Sequence, residues 1–274
     1  MFTKQDLIHD FIRMGLKPED TVLIHSSYKH IAGEKGVEGG ADTVVDAFME
    51  YFGEKGLVVF PALTWRLGFL VNDEGVIRSP LLGPAPGYRE YGTTFDVRNT
   101  PSSVGCIPEI FRKRPGVIRS LSATHSVTAY GKDAEEFCAG HEDAPTQLHW
   151  HSPWGKLYYR NAKTLFIGTG MGCNTFMHVL EEYSGVVPGL LPDYEWHYDI
   201  IGYDNVTRHI SCKRHDSGHS HYFGKVEDEL IEQKIVSIEQ FGAAEVRLVD
   251  MRKETDYMLK WLKKEPRLFC PAEK

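Results

Sequence analysis

Long hydrophobic runs are missing from this sequence. The longest apolar stretches, such as residues 57–63, hold only a few residues, whereas a helix that crosses a bilayer needs about 20. The first residues, MFTKQDLIHDF, lack the basic flank and apolar stretch of a secretory signal. We therefore expect a cytoplasmic protein with no membrane partner.

An excess of basic residues is also missing. The 274 residues include 31 Lys and Arg against 38 Asp and Glu, a formal net charge of −7. General nucleic-acid binding depends on many contacts between Lys or Arg and phosphates. The charge balance therefore predicts no nucleic-acid partner.

Cysteine is sparse, and the five cysteines lie far apart in the sequence. Their spacing provides neither a disulfide framework nor a CxxC metal motif, so we predict reduced thiols and no metal site. One cluster leaves an alternative open: Cys212, His215, His219 and His221 fall within ten residues. They would suit a zinc-dependent hydrolase, although their spacing matches no familiar zinc site.

Short β-type runs alternate with helix-length amphipathic segments along the chain. The predicted strands are 21–25, 57–60, 125–129, 164–168, 206–211 and 245–249, and the predicted helices are 3–15, 44–52, 105–114, 133–139, 174–183, 227–234 and 251–264. This order is typical of an α/β fold. We expect a mixed, mostly parallel sheet flanked by helices (an αβα sandwich) in a single domain over 1–274, with the Gly- and Pro-rich residues 73–91 as a loop or insertion.

Ligands of such sheets collect where strands end and helices begin, which directs attention to two junctions. The first, residues 25–40, offers Ser26 and Ser27 directly after a strand and a Gly-Gly pair before a helix, where exposed N–H groups favour an anion. Lys29 and Lys35 add positive charge. Neither GxxxxGK[ST] nor GxGxxG occurs here, and spacing alone is equally consistent with a plain connection.

The second junction, residues 168–181, contains a histidine and a carboxylate on one helix face. His178 and Glu181 are three residues apart, and a carboxylate beside an imidazole fixes its tautomer and raises its basicity. That pair would suit a general base for an amine or hydroxyl. Because such spacing arises readily by chance, the pattern alone favours an ordinary surface pair.

Five segments occur in an order that is informative as a set. They are VLIHSSYKHIAG (22–33), GGADTVVDAFMEYFGEKGLVVFPALT (39–64), FDVRNTPSSVGCIPEIFRKRPGVIRSLSATHSVTAYG (95–131), HSPWGKLY (151–158) and LFIGTGMGCNTFMHVLEE (165–182). Together they resemble the aminoglycoside 3-N-acetyltransferase family of antibiotic-modifying enzymes. The resemblance covers most of residues 1–190 and is loose in the last third of the chain.

The resemblance implies an α/β fold distinct from that of GNAT acetyltransferases. It also implies acetyl transfer from acetyl-coenzyme A, a co-substrate, to the 3-amino group of a cationic aminoglycoside. The family's His-x-x-Glu matches His178, read as the base, and Glu181. The segments that would lie along the coenzyme contribute His25, which we also count among the catalytic candidates, together with Ser26, Ser27, Thr100, Ser102, Ser103 and Gly105. The anionic end of the coenzyme needs positive charge, which Lys29, Lys35 and the basic run 112–119 could supply.

One departure from the family pattern comes shortly after Arg119-Ser120. Many members carry His-Pro where this chain has Ser122-Ala123, and His125 follows three residues after Ser122. The role of the missing imidazole is therefore dispensable, filled by His125, or lost.

The expected mechanism is direct transfer. His178 takes the proton of the substrate amine, Glu181 holds the ring, and backbone N–H groups or a hydroxyl near residues 25–27 stabilise the oxyanion. A ping-pong route would need a base beside Ser26, Ser27 or a cysteine, and none is adjacent in sequence. The sequence is also compatible with acetyl transfer to another small amino metabolite and with coenzyme binding without turnover.

Overall fold

The computed structural model describes residues 1–68, 70–74, 77–78, 86–90, 92–191, 195–215 and 218–270. Its α-helices are Lys4–Arg13 (α1), Tyr28–Ala32 (α2), Ala41–Phe52 (α3), Cys106–Phe111 (α4), Ala134–Cys138 (α5), Pro153–Tyr159 (α6), Thr175–Ser184 (α7), Glu227–Glu232 (α8) and Met251–Lys264 (α9), with 3₁₀ helices at Met171–Cys173 and Gly218–Val226. Its strands are Thr21–Ser26 (β1), Leu57–Pro61 (β2), Leu70–Asn72 (β3), Ile77–Arg78 (β4), Tyr88–Glu90 (β5), Thr94–Asp96 (β6), Ile118–Arg119 (β7), Val127–Gly131 (β8), Lys163–Ile167 (β9), Trp196–Ile201 (β10), Thr207–Cys212 (β11), Val236–Phe241 (β12) and Ala244–Asp250 (β13).

A seven-stranded sheet, in the order β12-β13-β9-β1-β2-β8-β7, forms the centre of the fold. The sheet is mixed, as predicted, but parallel pairing is limited to β9-β1 and β1-β2, and the outer pairs are antiparallel. The expectation of a mostly parallel sheet is corrected in this respect. For β12 and β13 the reason is local: two residues, 242–243, join these strands, and so short a loop permits only an antiparallel hairpin.

Alternating side chains of the central strands build two apolar cores, one on each face. On β1, Val22 and Ile24 pack with α1, α3 and α4, whereas Leu23 packs with α5, α6, α7 and α9 on the other face. Strand residues point to opposite faces with a period of two, so a run that is buried on both sides reads as continuously apolar. The result is the predicted αβα sandwich.

Two small sheets accompany the main one, in the orders β11-β10-β6 and β4-β3-β5. The first has its own apolar core around Phe95, Trp196 and Tyr198. Of the predicted insertion at 73–91, residues 75–76, 79–85 and 91 lie outside the described residues, and the described part includes β4 and β5. The single-domain organisation stays a prediction. Within the described ranges, no helix combines the length and apolarity needed to span a bilayer.

Candidate active site

The two junctions singled out in the sequence meet at one cavity of about 390 Å³. Since β1 and β9 are adjacent and parallel, their carboxyl ends lie at the same edge of the sheet. The cavity is lined by residues from the segments 24–26, 61–63, 104–108 and 169–178, together with His125 and Ser220. Residues far apart in sequence therefore share one concave site.

Four polar atoms around this cavity are buried without a hydrogen-bond partner among the described residues. They are His25 Nε2, Ser26 Oγ, Thr169 Oγ1 and Asn174 Oδ1. A buried polar group that stays unpaired costs about 1–3 kcal/mol. Their convergence on one cavity indicates a place where a polar ligand would complete the hydrogen bonding.

His178 and Glu181 form a direct pair on α7. His178 Nδ1 lies 2.8 Å from Glu181 Oε2, and the Glu181 side chain is fully buried while that of His178 is 13% exposed. Since the carboxylate binds Nδ1, the neutral ring presents Nε2 as an acceptor. Burial lowers the pKa of His178, and the hydrogen bond to Glu181 opposes that shift. The ring is therefore neutral at pH 7, as a base requires.

Glu181 also binds a second histidine, His219, which the sequence analysis considered only as a possible zinc ligand. His219 Nδ1 lies 2.6 Å from Glu181 Oε1, so each carboxylate oxygen binds one imidazole. The neighbouring Glu182 is arranged similarly, with His215 Nε2 at 2.7 Å and the Thr146 hydroxyl donating to both of its oxygens. Burial raises the pKa of Glu182, but the hydrogen bonds from His215 and Thr146 outweigh it, so the net shift is downward.

His25 is positioned as a hydrogen-bonding group. Its ring stacks on Phe166 with centroids 4.9 Å apart, and its exposed fraction is 8%. Burial lowers the pKa of His25 to about 3, so it stays neutral throughout the physiological range. Its catalytic role stays a prediction, and the geometry favours contact with a ligand over proton uptake.

The remaining candidates of the first junction do not line the cavity. Ser27 precedes α2, its backbone N–H donates to Ile167 O at 2.9 Å, and its hydroxyl lies 2.8 Å from His30 Nδ1. Lys29 is exposed on α2. Of the serines here, only Ser26 faces the cavity, with an unpaired hydroxyl.

The loop at 100–105 borders a second cavity of about 210 Å³. Thr100, Ser102 and Ser103 line it, together with Thr64 and Arg66. The residues next to them in sequence, Leu63 and Val104, line the first cavity, so the two cavities adjoin along these segments. Gly105 ends the loop with φ +108° and precedes α4. An elongated ligand could contact both cavities.

The basic run at 112–119 is occupied by internal contacts. Arg112 Nε lies 2.6 Å from Glu109, and Arg114 lies 2.9 Å from Asp42. Arg119 is buried, with its guanidinium donating to Ser126 Oγ at 3.0 Å and to backbone carbonyls. These partners leave the run poorly placed to meet an anionic coenzyme.

The zinc alternative gains no support from the positions of its four candidates. Cys212 Sγ accepts a hydrogen bond from Gln147, and His215 and His219 bind different carboxylates. Over the described part of the chain, no three His, Cys, Asp or Glu side chains converge as a metal site would require.

Sequence reasoning missed several residues in and around the cavity. Thr169 belongs to no recognisable sequence motif. Asn174 is the residue directly before α7, where a helix cap is expected. Its side chain instead donates to buried Glu254 at 2.8 Å. His219 was detectable only as a possible metal ligand, since its partner Glu181 is 38 residues away.

A family model for aminoglycoside 3-N-acetyltransferase matches residues 23–263 of the chain. The chain belongs to this family. Among curated family members, the SPbeta prophage-derived aminoglycoside N(3')-acetyltransferase-like protein YokD of Bacillus subtilis (strain 168) is 32% identical over 188 residues, which is 65% of this chain and 64% of YokD. The match thus spans less than two thirds of YokD. Aminoglycoside N(3)-acetyltransferase VII of Streptomyces paromomycinus is 24% identical over 276 residues, covering 96% of this chain and 92% of that protein.

Solved structures of the family share the fold. The crystal structure of YokD superimposes with a TM-score of 0.78 at 26% identity, covering 97% of this chain and 100% of YokD. A structure described as AAC-IIIb binary with CoASH has a TM-score of 0.78 at 24% identity, covering 99% of both chains. One described as AAC-VIa bound to sisomicin has a TM-score of 0.74 at 21% identity, covering 96% and 98%. The predicted family, its acyltransferase class and its non-GNAT α/β fold are confirmed.

Proposed function

We propose that this protein transfers the acetyl group of acetyl-CoA to the 3-amino group of an aminoglycoside by direct attack, with His178 as general base. The observation that carries the proposal is the His178–Glu181 pair, held at 2.8 Å at the wall of a cavity with unpaired polar atoms. Family membership supplies the reaction class, because the relatives are aminoglycoside N(3)-acetyltransferases.

The base assignment is supported by the chemistry of both ring nitrogens. Nδ1 is bound to Glu181, and among the described residues no side chain or backbone group hydrogen-bonds Nε2. A neutral ring with an unoccupied Nε2 at the cavity wall accepts the proton that the attacking amine loses. The buried carboxylate of Glu181 then stabilises the imidazolium.

The residues around the cavity fit an acetylated coenzyme. The Ser26 hydroxyl is unpaired, whereas the backbone N–H of Ser27 already donates to Ile167. This favours the hydroxyl over that N–H as an oxyanion donor near the end of β1. The adjoining cavity beside 100–105 offers hydroxyls and Arg66 to the remainder of the coenzyme. When bound, acetyl-CoA supplies the activated acyl group.

The decisive experiment measures thiol release from acetyl-CoA across a panel of aminoglycosides and small amines. We expect release with aminoglycosides that carry a free 3-amino group and none with their 3-N-blocked counterparts. Two-dimensional NMR of the product should place the acetyl group on N3. Acetylation at another position, or a preference for small amines, would contradict the substrate assignment.

Calorimetry with coenzyme A separates turnover from binding alone. Coenzyme binding without transfer to any amine would indicate a binding module and contradict the proposal. Absence of both coenzyme binding and acetyl transfer would show that the cavity does not bind coenzyme A, which would also contradict the proposal.

A further inference from the structure

His125 lines the wall of the cavity together with His25 and His178, and it is fixed in place from several sides. Its backbone N–H donates to Ser122 Oγ at 3.2 Å, and its carbonyl accepts from Trp154 Nε1 at 2.8 Å. Ser122 is fully buried and also donates to Gln147. The serine that replaces the family's histidine therefore helps to position the His125 backbone beside the cavity.

The neighbouring hydroxyl determines the tautomer of His125. Thr124 Oγ1 lies 2.8 Å from His125 Nδ1, and Thr124 is fully buried. In the described part of the structure, this hydroxyl has no second hydrogen-bond partner. A buried O–H that fails to donate is costly, so the hydroxyl donates to Nδ1. The neutral ring then carries its proton on Nε2.

Of the three histidines that line the cavity, His178 and His125 consequently present opposite groups. Nε2 of His178 is an acceptor because Glu181 holds its Nδ1–H. Nε2 of His125 is a donor, and no group of the described residues accepts its proton. Burial holds the pKa of His125 well below 6.5, and the nearby Arg214 adds to that shift. The cavity thus contains a neutral acceptor and a neutral donor.

We propose that His125 Nε2–H donates a hydrogen bond to the thioester carbonyl oxygen as negative charge develops there, and that Thr124 is the positioning residue that fixes this tautomer. The inference rests on the proposed function. In that reaction a new N–C bond forms and the C–S bond of the thioester breaks. The proton lost by the amine passes through His178 to the departing thiolate, and His125 keeps its own proton throughout.

The kinetic test compares substitutions that keep or remove the donor. Loss of one oxyanion donor typically costs about 10²–10³-fold in kcat, so His125→Phe, which keeps an aromatic ring without an N–H, should lose that much. His125→Gln retains an N–H and should lose less. The dissociation constant for coenzyme A, measured by calorimetry, should be unchanged in both variants.

Two substitutions of Thr124, one without and one with a hydroxyl, test its positioning role. Thr124→Val preserves the side-chain shape but removes the hydroxyl, and should lower kcat by less than His125→Phe does. Thr124→Ser keeps the hydroxyl and should restore most of the loss. Thermal unfolding of each variant checks that the fold is retained.

Nitrogen NMR gives a readout that needs neither coenzyme nor turnover. With ¹⁵N-labelled histidine, the ring signals of His125 are assigned by their absence in His125→Phe. We expect a protonated Nε2 and an unprotonated Nδ1 in the native protein, and a mixture of tautomers in Thr124→Val. A native Nδ1–H tautomer would overturn the inference.

The kinetic results also distinguish this inference from the proposed function. If His178→Ala loses activity while His125→Phe retains full kcat, the oxyanion role is wrong and the base assignment stands. If both variants retain full kcat, the reaction does not use this cavity, and both proposals fail.

Discussion

At the scale of single residues, the site depends on which nitrogen of each histidine is occupied. Glu181 occupies Nδ1 of both His178 and His219, at 2.8 and 2.6 Å. A fully buried carboxylate with two such partners is fixed in orientation, and it fixes the tautomers of both rings in turn. A single carboxylate thereby fixes the position and tautomer of His178, the proposed base.

Replacement of His178 should remove the base with little effect on the fold. A positioned general base contributes about 10²–10⁴-fold, so His178→Ala should lower kcat for acetyl transfer by at least the lower figure. Steady-state thiol release measures this loss. The matched control is His209→Ala, which removes an exposed histidine from β11 and should leave kcat unaltered. Equal kcat values for the two variants would exclude His178 as the general base.

The pH profile should reflect the environment of His178. Burial lowers its pKa from 6.5, so the ring stays neutral at every pH above that value and protonates only at lower pH. The acid limb of kcat/KM, which reports the free enzyme, should therefore have its midpoint below 6.5. A midpoint above 6.5 would contradict the predicted environment of the base.

At the scale of elements, the loop after β9 brings the site together. Gly168 has φ +63°, and a Cβ there would lie 2.3 Å from His30 Cβ on α2. This close approach packs the two junctions against each other. Only glycine adopts this conformation without strain and leaves room for the neighbouring helix.

Two glycines of this loop provide a matched comparison. Gly168→Ala should destabilise the protein by more than about 1–2 kcal/mol, because the left-handed conformation alone costs that much for an L-residue and the clash adds to it. Gly170 has extended backbone (φ −114°) and an added Cβ would meet nothing closer than 3.7 Å, so Gly170→Ala should be nearly neutral. Urea unfolding midpoints at equal m-values test both; similar midpoints would contradict the close packing of β9 on α2.

At the scale of the whole molecule, burial of neutral histidines links stability to pH. Burial lowers the pKa of His25 to about 3 and that of His141 to about 4. Below pH 6.5 the unfolded chain binds protons at these positions and the folded protein does not. Stability therefore falls as the pH is lowered from 6.5 towards 4.

Glu254 acts in the opposite direction. Burial raises its pKa from 4.5 to about 8, so between these values the folded protein holds a proton that the unfolded chain has lost. Its contribution therefore diminishes as the pH rises through this window. Two buried histidines, His25 and His141, lower the stability of the fold in acid, whereas one buried carboxyl, that of Glu254, raises it. The net effect of these three groups below pH 6.5 is therefore acid destabilisation.

Two substitutions should change the pH dependence of unfolding in opposite senses. Each such group contributes about 1.4 kcal/mol per pH unit within its window. Between pH 6 and 5, His141→Asn should make the loss of stability shallower by that amount, and Glu254→Gln should make it steeper by the same amount. Denaturant unfolding at several pH values provides the free energies; parallel pH curves for all three proteins would contradict both assignments.

The sequence by itself determined the αβα class, the family and the two junctions that meet at the cavity. Helix periodicity and apolar runs are local signals, and they located strands such as β1 and β9 within a residue or two. They failed for β12 and β10, where exposed positions interrupt the apolar pattern. They also overestimated parallel pairing, because strand direction depends on how the connections cross the sheet.

Only the tertiary structure decided which side chains share the site. His25, His125 and His178 lie more than 150 residues apart at the extremes, and nothing in their local sequence shows that they line one cavity. The partnership of Glu181 with His219, and of Asn174 with Glu254, likewise requires elements distant in sequence to pack together. The tautomers and pKa values at the site follow from those contacts and from burial, which depend on the complete fold.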